Sequence, residues 1–203
     1  VNLELLRRVN RLSGLITPRV GMELFRLAQD VSAGTSIVEI GSYRGKSTAF
    51  LATGAPASVP IYAIDPWEML DHREWCHYCN PGTFEQFRSQ LESVGLLHRI
   101  VAVQNFSTEA AAEYAGPPVG LLFIDGNHSK DACMTDFLSW NPLLAPGAVV
   151  VFDDLDTKGN PGVRDAVDEL AGYFQAPVMT RAGRLGVART FGDFAESVTR
   201  GTE

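Results

Sequence analysis

Long hydrophobic runs are the first thing this sequence lacks: no apolar stretch approaches the ~18 residues that a membrane span needs. Residues 1–17 set Arg7, Arg8 and Arg11 among leucines, an amphipathic helix pattern without the unbroken apolar core of a signal peptide. A cytoplasmic location with no membrane partner is therefore expected. Basic clusters are missing too. No Lys/Arg run is longer than a pair, and 17 basic against 24 acidic side chains leave a net charge of −7. Nucleic-acid binders carry a basic stripe, so nucleic acid is disfavoured and a small-molecule substrate is expected. Cysteine is scarce and odd in number (Cys76, Cys79 and Cys133), which argues against a disulfide framework. At 203 residues one sizeable core is affordable and two are not, so a single domain over 1–203 is expected. Nothing in the sequence decides between a monomer and a homo-oligomer.

What is present is an alternation. Short runs rich in Val, Ile and Leu occur at 36–40, 61–65, 100–103, 120–125 and 148–153. They lack strict polar alternation, as strands buried on both faces of a parallel sheet do. Helical patterns lie between them. Thr83 and Gln86 read as a capping box, Phe84, Phe87, Leu91 and Val94 share one face, and Gly95 ends that helix. Asn160–Pro161 reads as an N-cap with proline in the first helical position. Two last runs, 178–180 and 185–191, are separated by too few residues for a helix and should form an antiparallel hairpin around Ala182–Gly183. The expected fold is α/β and doubly wound: five parallel strands, a C-terminal antiparallel hairpin, and helices on both faces. Helices within 3–31 precede the core at 36–191 and pack against it or cover the site.

The first strand runs into Glu39-Ile40-Gly41-Ser42-Tyr43-Arg44-Gly45-Lys46-Ser47-Thr48, a glycine loop that opens a helix. Glycines allow a tight turn and close ligand approach, and a helix N-terminus favours negative charge. A phosphate-binding P-loop is excluded by spacing, since only three residues separate Gly41 from Gly45. A dinucleotide fingerprint is excluded by its missing third glycine. Asp65, ending the second strand, lies beside the first-turn crevice and can accept both hydroxyls of a ribose. Glu39 can orient a positively charged amino-acid tail, directly or through water.

These segments, with Leu122-Phe123-Ile124-Asp125-Gly126, resemble the class I methyltransferases. More narrowly, Phe123-Ile124-Asp125-Gly126-Asn127-His128-Ser129 and Val149-Val150-Val151-Phe152-Asp153-Asp154 are similar to small-molecule O-methyltransferases of the catechol and macrolide-sugar types, the latter from antibiotic pathways. The resemblance spans about residues 36–155. It implies a Rossmann-like sheet and S-adenosylmethionine held by Glu39, Gly41, Tyr43, Gly45, Asp65, Ser107 and Asp125, often with a divalent metal. Adenine would lie near Asn105, Phe106 and Ser107, although Ser107 reads equally well as the N-cap of the next helix.

Asp125, His128, Asp153 and Asp154 fall at the carboxyl ends of strands four and five, which border the ligand crevice of an open sheet. Three converging carboxylates repel unless a cation lies between them, and hard oxygen donors suit Mg²⁺. Asp125, Asp153 and Asp154 are therefore the expected metal ligands, the metal lowering the pKa of a substrate hydroxyl. His128 stands where the catechol type places a lysine, and a neutral imidazole can serve as general base. The Asn/Asp-Pro-Pro-aromatic motif of amino-methylating enzymes is missing after strand four. Metal-independent N-methylation of a small amine, and a cofactor-binding module without catalysis, remain as alternatives.

Residues 66–81 hold Trp67, Trp75 and Tyr78 with His72, Cys76, His77 and Cys79. Four zinc-type ligands crowded into eight residues do not resemble two separated knuckles, so this insert reads as a lid with its aromatics over adenine or acceptor. Cys133 shares a helix face with Phe137 and Trp140 and reads as core.

Overall fold

The computed structural model describes residues 2–68 and 80–191. Two amphipathic helices lead, α1 (Leu3–Asn10) and α2 (Pro18–Gln29). Thr17 caps α2, accepting from Val20 N at 3.3 Å, with Pro18 in the first turn where no amide is needed. Then come β1 (Ser36–Ile40), α3 (Lys46–Gly54), β2 (Ile61–Asp65), α4 (Thr83–Ser93), β3 (Ile100–Gln104) and α5 (Ser107–Ala112). The chain continues through β4 (Val119–Ile124), α6 (Lys130–Trp140), β5 (Leu144–Phe152), α7 (Pro161–Glu169), β6 (Met179–Arg181) and β7 (Leu185–Arg189). The sheet order is β3-β2-β1-β4-β5-β7-β6; the first five strands run parallel, and β7 is antiparallel to both β5 and β6. This is the doubly wound sheet with a closing hairpin that the alternating runs imply.

Successive residues of one strand feed two cores. On β1, Ile37 joins α1–α4 on one face while Val38 and Ile40 join α5–α7 on the other. Phe123 and Val151 go with the first set, Ile124 and Phe152 with the second. Each fully buried Leu, Ile or Phe contributes about 1.5–3 kcal/mol, so both faces must stay covered, which explains the unbroken apolar strands. Cys133, Phe137 and Trp140 are buried in the second core, as the helix spacing requires.

Strand order reverses between β1 and β4, and the crevice outside their carboxyl ends is where ligands bind in such sheets. Two local details differ from expectation. The N-cap of α4 is Gly82 in the left-handed region (φ 84°), and Thr83 is already helical, its Oγ1 donating to the Asn80 carbonyl at 2.7 Å. A left-handed glycine thus starts the helix where a capping box was expected. Trp67 is not part of a lid. It is fully buried against Phe84 and Phe87 at 4.7 and 4.9 Å between ring centroids, and its Nε1 donates to the Tyr43 carbonyl at 2.7 Å. Trp75, Tyr78, His72, Cys76, His77 and Cys79 lie outside the described residues.

Candidate active site

A cavity of about 1430 Å³ opens at this switch point. Single drug-sized ligands occupy pockets of roughly 300–1,000 Å³, so two molecules fit side by side. One wall is the β1–α3 loop with Gly41, Tyr43 and Arg44; the opposite wall carries Asp125, His128, Asp154 and Arg184. Gly14, Leu15 and Ile16, between α1 and α2, close part of the rim. Gln90 of α4 holds that cover to the glycine loop: Ser13 N donates to its Oε1 at 2.6 Å, and its Nε2 donates to the carbonyls of Ser13 (3.1 Å) and Arg44 (2.6 Å).

The glycine loop is shaped for contact. Gly41 has φ 86°, and a β-carbon there would overlap the Asp125 carbonyl, so the loop can lie against the end of β4 only as glycine. Tyr43 is itself left-handed (φ 45°). Asp65 pins this strained turn: Oδ2 accepts from Tyr43 N at 2.8 Å and Oδ1 from Trp67 N at 2.6 Å. Burial raises its pKa, and those two amides oppose the rise. Each oxygen keeps a lone pair, and Asp65 lines the cavity, so the carboxylate can hold the loop and still accept from a ribose.

Two of the residues expected at the cofactor, Glu39 and Gly45, do not line the cavity. Glu39 is fully buried and is not on the cavity wall. It lies on the α3 side of β1, where Thr48 Oγ1 donates to Oε2 while Oε1 has no protein partner. Desolvation pushes its pKa up to about 7. Gly45 (φ 83°) is likewise behind the wall, the place of a β-carbon filled by Phe87. Gly41, Tyr43, Ser107 and Asp125 do line the cavity. Ser107 is not the N-cap of α5, a position held by Phe106. Its hydroxyl accepts from Trp140 Nε1 at 3.1 Å and bonds Asp136, a carboxyl that burial lifts to about 6. Asp136 also lines the cavity and was not read from the sequence.

The acidic rim shows a larger difference. Asp153 is 1% exposed and not on the cavity wall. Arg184 covers it with a two-pronged contact, Nε donating to Oδ1 at 2.7 Å and Nη2 to Oδ2. The same Nε lies 3.1 Å from Asp154 Oδ1. Burial first, then the Asp153 charge and a hydrogen bond with it, push the Asp125 carboxyl well above the carboxylate range. The Arg184 guanidinium thus supplies at Asp153 the positive charge that a metal was expected to supply. The set Asp125, Asp153, Asp154 does not fit Mg²⁺ in this arrangement, because Asp153 lies behind the cavity wall and the Arg184 guanidinium, in contact with both Asp153 and Asp154, would repel the ion. Among the described residues no three His, Cys, Asp or Glu side chains converge as metal ligands.

His128 stands between the two remaining acids, Nε2 at 3.4 Å from Asp125 Oδ1 and Nδ1 at 3.6 Å from Asp154 Oδ2. Asn160 braces the group, its Nδ2 donating to Asp154 Oδ2 at 2.7 Å and lying 3.3 Å from His128 Nδ1. Asn160 caps α7 by position but spends its side chain on the site. Asp154 takes φ 58°, a left-handed strain that a short carboxylate tolerates and that turns it into the cavity.

A protein-family profile described as a methyltransferase domain matches residues 38–155, from β1 to just beyond β5. The chain belongs to the methyltransferase family. It is a class I, S-adenosylmethionine-dependent methyltransferase, and the matched span contains the cavity-lining residues just described except Gly14, Leu15, Ile16, Asn160 and Arg184. Among solved structures, the O-methyltransferase TomG of Streptomyces achromogenes is 23% identical with a TM-score of 0.66, over 93% of this chain and 90% of that one. An O-methyltransferase from Bacillus cereus, solved with S-adenosylhomocysteine, is 21% identical with a TM-score of 0.66 over the same shares. These likenesses show a shared fold. The uncharacterized protein y4gI of Sinorhizobium fredii is 25% identical over 125 residues, 60% of this methyltransferase but only 13% of that much longer protein.

Proposed function

We propose that this methyltransferase transfers the methyl group of S-adenosylmethionine to a hydroxyl of a small molecule, with His128 as general base. One observation carries the reading: a single cavity with room for two molecules has the glycine loop on one wall and, on the other, a histidine 3.4 and 3.6 Å from two carboxylates. S-adenosylmethionine supplies a methyl group on a sulfonium. Asp65 and Tyr43 hold its ribose end, the Gly41 turn lets the backbone lie close to it, and Ser107 and Asp136 face the adenine. Across the cavity, His128 takes the hydroxyl proton, and Asp154 compensates the positive charge that the ring gains. Magnesium, although expected for the acidic rim, plays no part in this reading because Arg184 holds Asp153. TomG, an O-methyltransferase involved in tomaymycin synthesis, makes natural-product hydroxyls the first acceptors to try.

The test is direct. The protein is incubated with S-adenosylmethionine and a panel of phenols, catechols, sugars and small amines, and products are read by mass spectrometry for one added methyl group. Methylation of hydroxyls that fails in His128→Ala supports the reading. Transfer to amines alone would replace it with N-methylation, and S-adenosylhomocysteine binding without any transfer would leave a binding module.

A further inference from the structure

We propose that Arg184 is the built-in cation of this site, standing where three carboxylates would otherwise call for a divalent ion and offering an N–H to the acceptor oxygen. The second half rests on the hydroxyl-transfer reading; the first does not. A carboxylate as buried as Asp153 must be paired, since the effective penalty for an isolated buried ion is several kcal/mol. Arg184 meets that need along one edge of its guanidinium, Nε and Nη2, and Nε is shared with Asp154. A metal ion and this guanidinium would compete for the same oxygens and repel each other.

The opposite edge is free for other work. Nη1 has no protein partner among the described residues, and the side chain, 26% exposed, lines the cavity beside Asp125 and His128. The backbone fixes this placement. Ala182 and Gly183 both take positive φ in the β6–β7 turn, Arg184 N donates to the Arg181 carbonyl at 3.1 Å, and Leu155 N donates to the Arg184 carbonyl at 2.8 Å. The guanidinium is therefore tied through its own backbone to the segment that follows Asp154. In the transfer, the acceptor oxygen forms a bond to the methyl carbon, the carbon–sulfur bond breaks with its electron pair left on sulfur, and the hydroxyl proton goes to His128. An N–H from Nη1 stabilises the oxygen as that proton leaves, the part a metal would play as a Lewis acid.

Mn²⁺ is the probe, read by electron paramagnetic resonance without any acceptor present. Wild type should bind none, and Arg184→Ala should bind one ion per chain that Mg²⁺ displaces. Wild-type turnover should be unchanged by EDTA, and Arg184→Ala should lose about 10²–10³-fold in kcat, the scale for one preorganised donor. Arg184→Lys keeps a charge without the fork, and should exclude Mn²⁺ while restoring part of the rate. Stoichiometric Mn²⁺ in wild type would overturn the proposal, as would an Arg184→Ala enzyme with the wild-type rate and no Mn²⁺, which would make Arg184 only a hairpin clamp. If Arg184→Ala melts below the assay temperature, Arg184→Gln takes its place. If no hydroxyl is methylated, the transfer reading fails alone, and the Mn²⁺ measurement still decides whether Arg184 is the cation.

Discussion

Replacing Glu39 by glutamine should change how the stability of this methyltransferase depends on pH. The carboxyl is fully buried on β1, with one oxygen bonded by Thr48 and the other without a partner. Desolvation moves its pKa from 4.5 to about 7, against the pull of neighbouring hydroxyls. A group whose pKa is higher in the fold than in the unfolded chain stabilises the fold only while protonated. That contribution is complete below 4.5 and is lost as pH rises through about 7. At 1.36 kcal/mol per pH unit, the loss across this window is roughly 3 kcal/mol.

Glutamine keeps the shape and has no proton to lose. Its amide nitrogen can end where Oε1 lacks a partner, which costs about 1–3 kcal/mol if no hydroxyl turns to meet it. That cost does not vary with pH, so the difference between the two proteins isolates the carboxylate. Urea unfolding at about pH 5 and about pH 8 should show the variant gaining roughly 2.5 kcal/mol relative to wild type, since part of the loss has already occurred by about pH 5. A gap that is constant with pH, or that moves the other way, would refute the buried, readily protonated carboxyl. Calorimetry with S-adenosylhomocysteine on the same variant then separates two roles. Unchanged affinity confines Glu39 to supporting α3, and a loss shows that its charge reaches the cofactor.

Asp65→Ala should weaken S-adenosylhomocysteine by about 1.5–3 kcal/mol in calorimetry, the scale for charge-assisted hydrogen bonds, because the ribose and the Tyr43 turn lose the same acceptor. Unchanged affinity would remove the ribose assignment. His128→Ala should lower kcat by about 10²–10⁴ and spare cofactor affinity; equal losses in both would point to a collapsed site. Trp67→Ala should cost about 3–5 kcal/mol in urea unfolding, the range for deleting a buried aromatic, whereas a mobile lid residue would cost almost nothing.

Much of the fold was legible because its signals are local. Apolar runs without alternation imply strands covered on both sides, and the positions of the five parallel strands follow from them to within a few residues, although β3, at the sheet edge, is not covered on both sides and leaves Val101 exposed. Ser129 caps α6 through a hydroxyl that accepts from Ala132 N at 3.4 Å, and Pro161 opens α7. The crevice also follows from chain order, since the strand direction of assembly reverses after β3 in any such sheet. Which way a strand residue faces is less legible when both faces are apolar. Glu39 and Ile40 are neighbours in sequence, yet Ile40 lines the cavity and Glu39 does not. Trp67 looked like a lid because an aromatic beside a proline in a long insert has no periodicity to assign it to a core.

The acidic rim shows where local reading ends for a stronger reason. Three carboxylates at strand ends announce a demand for positive charge, but the demand does not name the cation that answers it. Arg184 is 31 residues from Asp153 in sequence, and only the pairing register brings it there. The β5–β7 ladder ends with Phe152 opposite Gly186, and just beyond it Leu155 N donates to the Arg184 carbonyl, which sets Arg184 beside the Asp153–Asp154 turn. A slip of one residue would turn that side chain to the other face of the sheet. The Ala182–Gly183 turn that joins β6 to β7 stands just before Arg184, and alanine there takes φ 51°, a conformation no propensity argument assigns to it. The charge balance of the site is therefore set by a residue outside the matched family segment, and the choice between arginine and metal is decided by tertiary geometry.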